Sequence, residues 1–293
     1  MKVYDCFTFF NEFELLELRL ETFYDIVDRF VIVEADKTHA NKPKPFNFYE
    51  RRDDFKKYFP KINYIMDTST VPYKGAGDWA IENNQRNNIV QGLSDAEPDD
   101  LIIISDVDEI PNPATIRTIR ESFTDKSKHV DFVAFYDTTP YTKNKLVPFH
   151  SGMRINNFLD LSPVSFKQNF HSYYFNWVNR ELIWTGTVIG KFKYMESPQA
   201  FRNAREILPR ILNGGWHFSS MGGIEKFMEK VRSAPDFQKF SDADADFLEE
   251  AIKSGKYLIG GAKFVSCDVN KINLPALKNF IKKYPHFVRG MNT

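Results

Sequence analysis

The run Leu101-Ile102-Ile103-Ile104-Ser105-Asp106-Val107-Asp108-Glu109-Ile110-Pro111 most constrains what this chain can become. Four bulky apolar residues in a row read as a strand buried on both faces, as in an α/β sheet. The run stops on two carboxylates two positions apart, and Pro111 prevents the strand from continuing. Ligands of open α/β sheets gather at the carboxyl ends of strands. In extended chain, residues i and i+2 point the same way. Asp106 and Asp108 are therefore placed to reach one divalent ion, directly or through water. Hard oxygen ligands suit magnesium or manganese, with phosphate oxygens in the open positions. The bland alternative is an Asp-rich surface turn.

Composition narrows the classes. The 293 residues fit one large α/β domain or two small ones. Lys+Arg and Asp+Glu balance at 39 each, so no global field recruits nucleic acid or an anionic membrane. Cys6 and Cys267 are too few for a disulfide framework or a cysteine-built zinc site. Two reduced thiols in a cytoplasmic protein is the simpler expectation, and one distant bridge the other. No apolar stretch is long enough to span a bilayer, and no secretory signal precedes the first strand.

Lys2 to Phe10 reads as that first strand. Asn11 is expected to cap a helix, with Glu14 in the capping-box position. Phe13, Leu16, Leu20, Phe23 and Val27 form its buried stripe. Arg29 to Glu34 follows as a second strand, completing a β-α-β unit. The absence of a G-x-G-x-x-G loop argues against a dinucleotide cofactor. Glu34 and Asp36, at the end of the second strand, are in reach of a ribose or base, or else are solvated loop carboxylates.

Lys42-Pro43-Lys44-Pro45 is a turn, Phe46 to Phe59 a short helix, and Lys61 to Met66 a third strand. Asp78 is placed to cap a helix over Trp79 to Leu93. That helix has a polar centre in which Gln85, Arg86 and Asn87 point at a polar ligand. Arg86 suits diphosphate charge or a base face. The competing reading is an exposed face with a Glu82–Arg86 pair.

Beyond Pro111 come a helix from Pro113 to Phe123 and a strand over Val130 to Tyr136. The stretch Asp137 to Arg210 is aromatic. Tyr141, Phe149, Phe158, Phe166, Phe170, Tyr173, Tyr174, Phe175, Trp177 and Trp184 divide between core and an acceptor groove. Gly214-Gly215-Trp216-His217 presents a histidine as a third metal ligand or a phosphate partner, against a purely structural role. The Gly-rich helix start Met221 to Lys226 suits phosphate. Asp242 to Glu250 is an acidic segment that opens a further helix. Leu274 to Tyr284 is a basic amphipathic helix, read as a solvated face, with weak peripheral membrane contact as the alternative.

Together these pieces resemble glycosyltransferase family 17, the β-1,4-mannosyl-glycoprotein 4-β-N-acetylglucosaminyltransferase-like group. The carrying stretches are Val3-Tyr4-Asp5-Cys6-Phe7 through Phe10-Asn11-Glu12, Val27 to Ala35, Lys42 to Pro45, Asp106 to Pro111, Gly215-Trp216-His217, and the Leu274-Pro275 helix. Arg86-Asn87 ahead of the carboxylate strand is similar to many nucleotide-sugar transferases. The resemblance implies a GT-A fold, an α/β architecture with a Rossmann-like mixed central sheet flanked by helices. It implies one domain over 1–293, with a nucleotide-sugar half to about residue 136 and an acceptor half from about 137. It further implies a UDP-sugar donor (UDP-GlcNAc), a glycan acceptor, inversion at the anomeric carbon, and Mn2+ or Mg2+ at Asp106, Asp108 and His217. The donor-side residues are then Phe10, Asn11, Glu34, Gln85, Arg86, Asn87, Asp106 and Val107. Candidate bases are Glu181, Glu109 and Asp236. Animal members carry a membrane anchor and luminal stem not seen in this sequence, so the expectation is a cytoplasmic enzyme building a surface glycan.

Two rivals are a haloacid-dehalogenase-type phosphatase with Asp106 as nucleophile, and a non-catalytic glycan-binding module. The phosphatase motif wants Thr or Val where this chain has Ile110.

Overall fold

Alternate residues of the first strand belong to different cores. In β1 (Val3–Thr8), Val3 and Phe7 join one apolar cluster and Tyr4 and Cys6 another. In β2 (Arg29–Ala35), Phe30 and Ile32 face the first cluster and Val31 and Val33 the second. In β4 (Leu101–Asp106), Leu101 and Ile103 separate in the same way from Ile102 and Ile104. A two-residue period with both faces buried is what a sheet between two helical layers requires. The expected α/β architecture, a mixed central sheet flanked by helices, is therefore borne out.

The computed structural model describes residues 1–133, 138–141, 145–148, 152–240 and 242–290. β3 (Ile62–Asp67), β2, β1 and β4 lie side by side and parallel. The Trp177–Lys191 strand runs antiparallel beside β4, and Val164–Ser172 antiparallel beside that. The Gly215–Ser219 strand pairs both with Val164–Ser172 and with the short β5 (Glu109–Pro111). One sheet thus joins strands from both ends of the chain. The expected halves meet near 136–137, and that boundary lies outside the described residues, as do Phe149, the side chain of Tyr141, and residues 134–136 of the strand expected over 130–136. Phe132–Val133 of that strand is present.

α1 (Phe13–Phe23) buries Leu16, Leu20 and Phe23 as its spacing predicts. Its expected capping box does not form. Glu12 precedes the helix and its carboxylate accepts from the amides of Phe10 and Asn11, while the Asn11 side chain bonds Glu229 on the Gly223–Ser233 helix. The long helix expected over Trp79 to Leu93 is α-helical over Ala80–Asn87 and continues as a 3-10 turn over Asn88–Leu93. Asp78 does accept from the Ala80 amide. Cys6 and Cys267 are both free. Among the described residues no helix is long and apolar enough to cross a membrane.

Candidate functional site

The turn after β4 is held from beneath by a residue that the sequence does not flag. Arg19 lies on α1 and is fully buried. Its Nε and Nη2 donate to Asp5 Oδ2 and Oδ1 at 2.8 and 2.5 Å. Its Nη1 donates to the carbonyls of Asp106 and Glu109 at 2.9 and 2.7 Å, and Nη2 to Ser105 Oγ at 2.6 Å. A planar five-donor fork suits this task, because one rigid group satisfies a carboxylate and two carbonyls at once. The backbone of Asp106 to Glu109 is thereby fixed before any ligand arrives.

Above that floor, Asp106 lies between two guanidiniums. Arg86 Nη2 donates to its Oδ1 at 2.8 Å and Arg202 Nη2 to its Oδ2 at 2.9 Å. Burial alone would raise the Asp106 carboxyl, but the charges of Arg202 and Arg86 hold it well below the usual carboxylate range. A third of its side-chain surface stays open. Arg86 also meets Glu82 Oε1 at 2.8 Å and Gln199 Oε1 at 2.6 Å. Arg202 reaches Glu109 Oε1 at 2.7 Å. Glu109 is braced at both oxygens, since Oε1 also accepts from Trp184 Nε1 at 2.8 Å and Oε2 from the Asp106 amide at 2.9 Å. Gly186 makes room for this carboxylate, because a Cβ there would sit 2.1 Å from Glu109 Oε1.

Asp108 has different neighbours. Its Oδ2 lies 3.5 Å from His217 Nε2 and 3.5 Å from Lys230 Nζ. Burial would raise its pKa, yet His217 and Lys230 bring it below the ordinary value. His217 is sandwiched between Trp184 and Phe170, with ring centroids 4.2 and 4.9 Å away. Its Nδ1 is buried without a partner among the described residues. The His217 strand reaches β5 because Gly215 adopts φ +110°, and a Cβ there would meet the Ile110 carbonyl oxygen at 2.3 Å.

These groups open into a cavity of about 520 Å³ at the carboxyl ends of β1 and β4. Phe10, Gln85, Arg86, Asp106, Val107, Asp108, His217 and Asp236 all line it, so most of the expected site residues converge. Gln85 fixes the rim by donating to the Val33 carbonyl at 2.9 Å. Asp236 is exposed and its carboxylate accepts no hydrogen bond among the described residues. Desolvation of its carboxyl by the cavity wall and the charge of Glu82 raise its pKa, against Lys230.

Several expectations are corrected. Glu34 is fully buried and spent on Lys44 Nζ, the Asn47 and Phe48 amides and Tyr64 Oη, so it anchors the Asn47–Arg51 helix and faces no ligand. Asn87 lies off the cavity lining and accepts from the Gln199 amide at 3.0 Å. Asn11 is likewise outside it, tied to Glu229. Glu109 is fully buried, paired with Arg202 and outside the cavity lining, so it does not face an acceptor. Glu181 sits on an exposed irregularity of the Trp177–Lys191 strand, outside the lining. Gly222 and Gly223 of the Gly-rich helix start are also outside it. Asp106 has one guanidinium on each oxygen, with a third of its side chain still open to the cavity. Among the described residues no three His, Cys, Asp or Glu side chains converge as a metal set. Asp108 and His217 remain as an oxygen–nitrogen pair that fits a divalent ion whose other positions are filled by ligand oxygens.

Arg202 is a site residue that sequence reading missed. It lies on the Pro198–Asn203 helix, one turn from Gln199, with Asn203 and Arg205 following, and all four line the cavity. A polar cluster at helical spacing was the available signal.

Residues 1–137 match the family model described as glycosyltransferase family 17, as the sequence resemblance leads one to expect. The beta-1,4-mannosyl-glycoprotein 4-beta-N-acetylglucosaminyltransferases of Homo sapiens and Rattus norvegicus are each 32% identical over 107 residues, 34% of this chain and 20% of theirs. The Mus musculus protein of the same name is 31% identical over the same length. The chain thus spans about a fifth of the length of these curated relatives. Among solved structures, a 4-diphosphocytidyl-2C-methyl-D-erythritol synthase aligns with a TM-score of 0.34 at 13% identity, covering 73% of this chain and 89% of that one. The family match contains Arg19, Arg86, Asp106 and Asp108, whereas Trp184, Arg202, His217 and Asp236 lie beyond it.

Proposed function

From the match of residues 1–137 to glycosyltransferase family 17, we propose that the chain is an inverting glycosyltransferase that moves a sugar, N-acetylglucosamine by the relatives' names, from a UDP-sugar to a glycan acceptor. The observation that carries this reading is a cavity in which Asp108, His217 and Arg86 face the same space as Asp236, whose carboxylate accepts no hydrogen bond among the described residues. Asp108 and His217 would hold a manganese or magnesium ion, which would supply Lewis-acid stabilisation of diphosphate charge. Arg86 adds fixed positive charge there without reorganising. Asp236 takes the proton from the acceptor hydroxyl as its oxygen bonds the anomeric carbon. The bond from that carbon to the diphosphate oxygen breaks, and its electron pair leaves with the nucleotide. A raised pKa suits Asp236 to this role, because a base works best near the operating pH.

Two measurements test the proposal. Titration calorimetry with UDP-sugars, in manganese and then in EDTA, should show donor binding that manganese tightens. No binding of any nucleotide sugar under either condition would sink it. Asp236→Asn should keep donor affinity while turnover drops about 10²- to 10⁴-fold. Turnover near that of the parent protein would remove Asp236 as base.

A further inference from the structure

Arg86, Arg202 and Arg205 line the cavity together, and the carboxylates around them are shared unevenly. Arg86 and Arg202 divide Glu82, Asp106 and Glu109 between them. Arg205 is left with Glu206, 3.5 Å away and largely solvated, and a long contact to the Arg202 carbonyl. Burial, and next the charge of Arg202, both push the Arg205 guanidinium below its usual pKa. Two guanidiniums side by side in a partly buried wall repel each other unless an anion joins them. The donors tell the same story. Arg86 Nε and Arg202 Nε and Nη1 are buried with no acceptor among the described residues. Arg86 and Arg202 are each only 3% exposed, so water does not make up the loss.

We infer that Arg202 and Arg205, with Arg86, form a subsite for a phosphoryl group that binds without a metal ion. A tetrahedral oxyanion offers acceptors to several forks at once, which is the geometry guanidinium clusters recognise. The subsite is separate from the pair proposed to hold a metal, since none of its three arginines touches Asp108 or His217. The inference deepens the transferase reading and rests on it only for the source of the phosphoryl group: the donor's diphosphate, or a phosphate carried by the acceptor.

The test is calorimetry in EDTA with inorganic pyrophosphate, UDP and uridine, on the parent protein, Arg205→Gln and Arg205→Lys. Thermal melts confirm that the variants fold. Pyrophosphate and UDP should bind the parent protein, and R205Q should weaken both by about tenfold or more, the loss expected for one charged hydrogen-bonding group. R205K should fall between the two, because it keeps the charge and loses the fork. Uridine should respond to neither change. UDP binding tighter than pyrophosphate assigns the subsite to the donor, and equal affinities assign it to the acceptor. Phosphoryl binding that appears only with manganese, or R205Q binding like the parent, overturns the subsite and leaves the transferase reading standing if UDP-sugars bind with manganese. Arg205-dependent pyrophosphate binding without nucleotide-sugar binding under any condition does the reverse.

Discussion

The parallel strands β1 and β4 and the antiparallel strands that follow hold their polar groups by opposite means. Around β1 and β4, charge is held by charge: Asp5 by Arg19, and Asp106 by Arg86 and Arg202. Around Val164–Ser172 and Gly215–Ser219, imidazoles are held among rings. His217 stacks between Phe170 and Trp184, and His171 lies against Phe218. Burial lowers the His171 pKa to about 4, and its Nδ1 donates to the Phe175 carbonyl at 2.7 Å. The first region is stable because its groups ionise, the second because His171 does not. An ion-paired wall keeps its shape as ligands come and go, whereas a ring-packed wall responds to protonation.

Breaking the charge-held region should have the largest effect. Arg19→Met strands the Asp5 carboxylate and two carbonyls in the core, a loss of about 3–5 kcal/mol by urea unfolding. Adding Asp5→Asn should recover part of it. A loss below about 1 kcal/mol would show that the pair is not holding this region.

The ring-packed region should fail in a different pH window. His171 titrates near 6.5 when unfolded and near 4 when folded, so the unfolded chain binds the extra proton between those values. Stability should therefore be complete above about pH 6.5 and fall by about 3 kcal/mol as pH drops to 4. His171→Gln should flatten that slope. Asp106 and Asp108, with lowered pKa values, contribute stability that is lost only further down, as pH falls below the ordinary carboxylate value through their folded ones. An unchanged slope in H171Q would assign the acid sensitivity to other groups.

The seam between the regions should give the smallest effect. Gly186→Ala drives a methyl into Glu109, for about 1–3 kcal/mol in a thermal melt. A neutral outcome would mean that Glu109 moves freely and does not brace Arg202.

Much of this was legible in the sequence. The apolar run into Asp106, the stripe of α1 and the β-α-β order all follow from periodicity, which is a local property. The misses share one cause. Arg19, Glu34 and Glu109 are buried charges, and in sequence a buried charge looks like a solvated one until its partner is known. Arg202 meets Glu109 from 93 positions away, and Arg19 meets Ser105 from 86. No spacing rule links them. Asp236 could be proposed from the sequence but not ranked above Glu181, because what separates them is which one the Pro235–Phe240 turn places in the cavity.

The pairing of His217 with Glu109 across adjacent strands has a kinetic consequence. The Gly215–Ser219 strand joins the sheet only after a long stretch of chain has closed, and such closure is slow relative to local contacts. Until then His217 is remote from Asp108, while β1, α1 and β2 can already be packed. A folding intermediate with an ordered first half and an unassembled cavity is therefore expected in refolding. Ligands that bridge the two halves would then act as late-stage folding aids, selecting the register in which Gly215–Ser219 has docked.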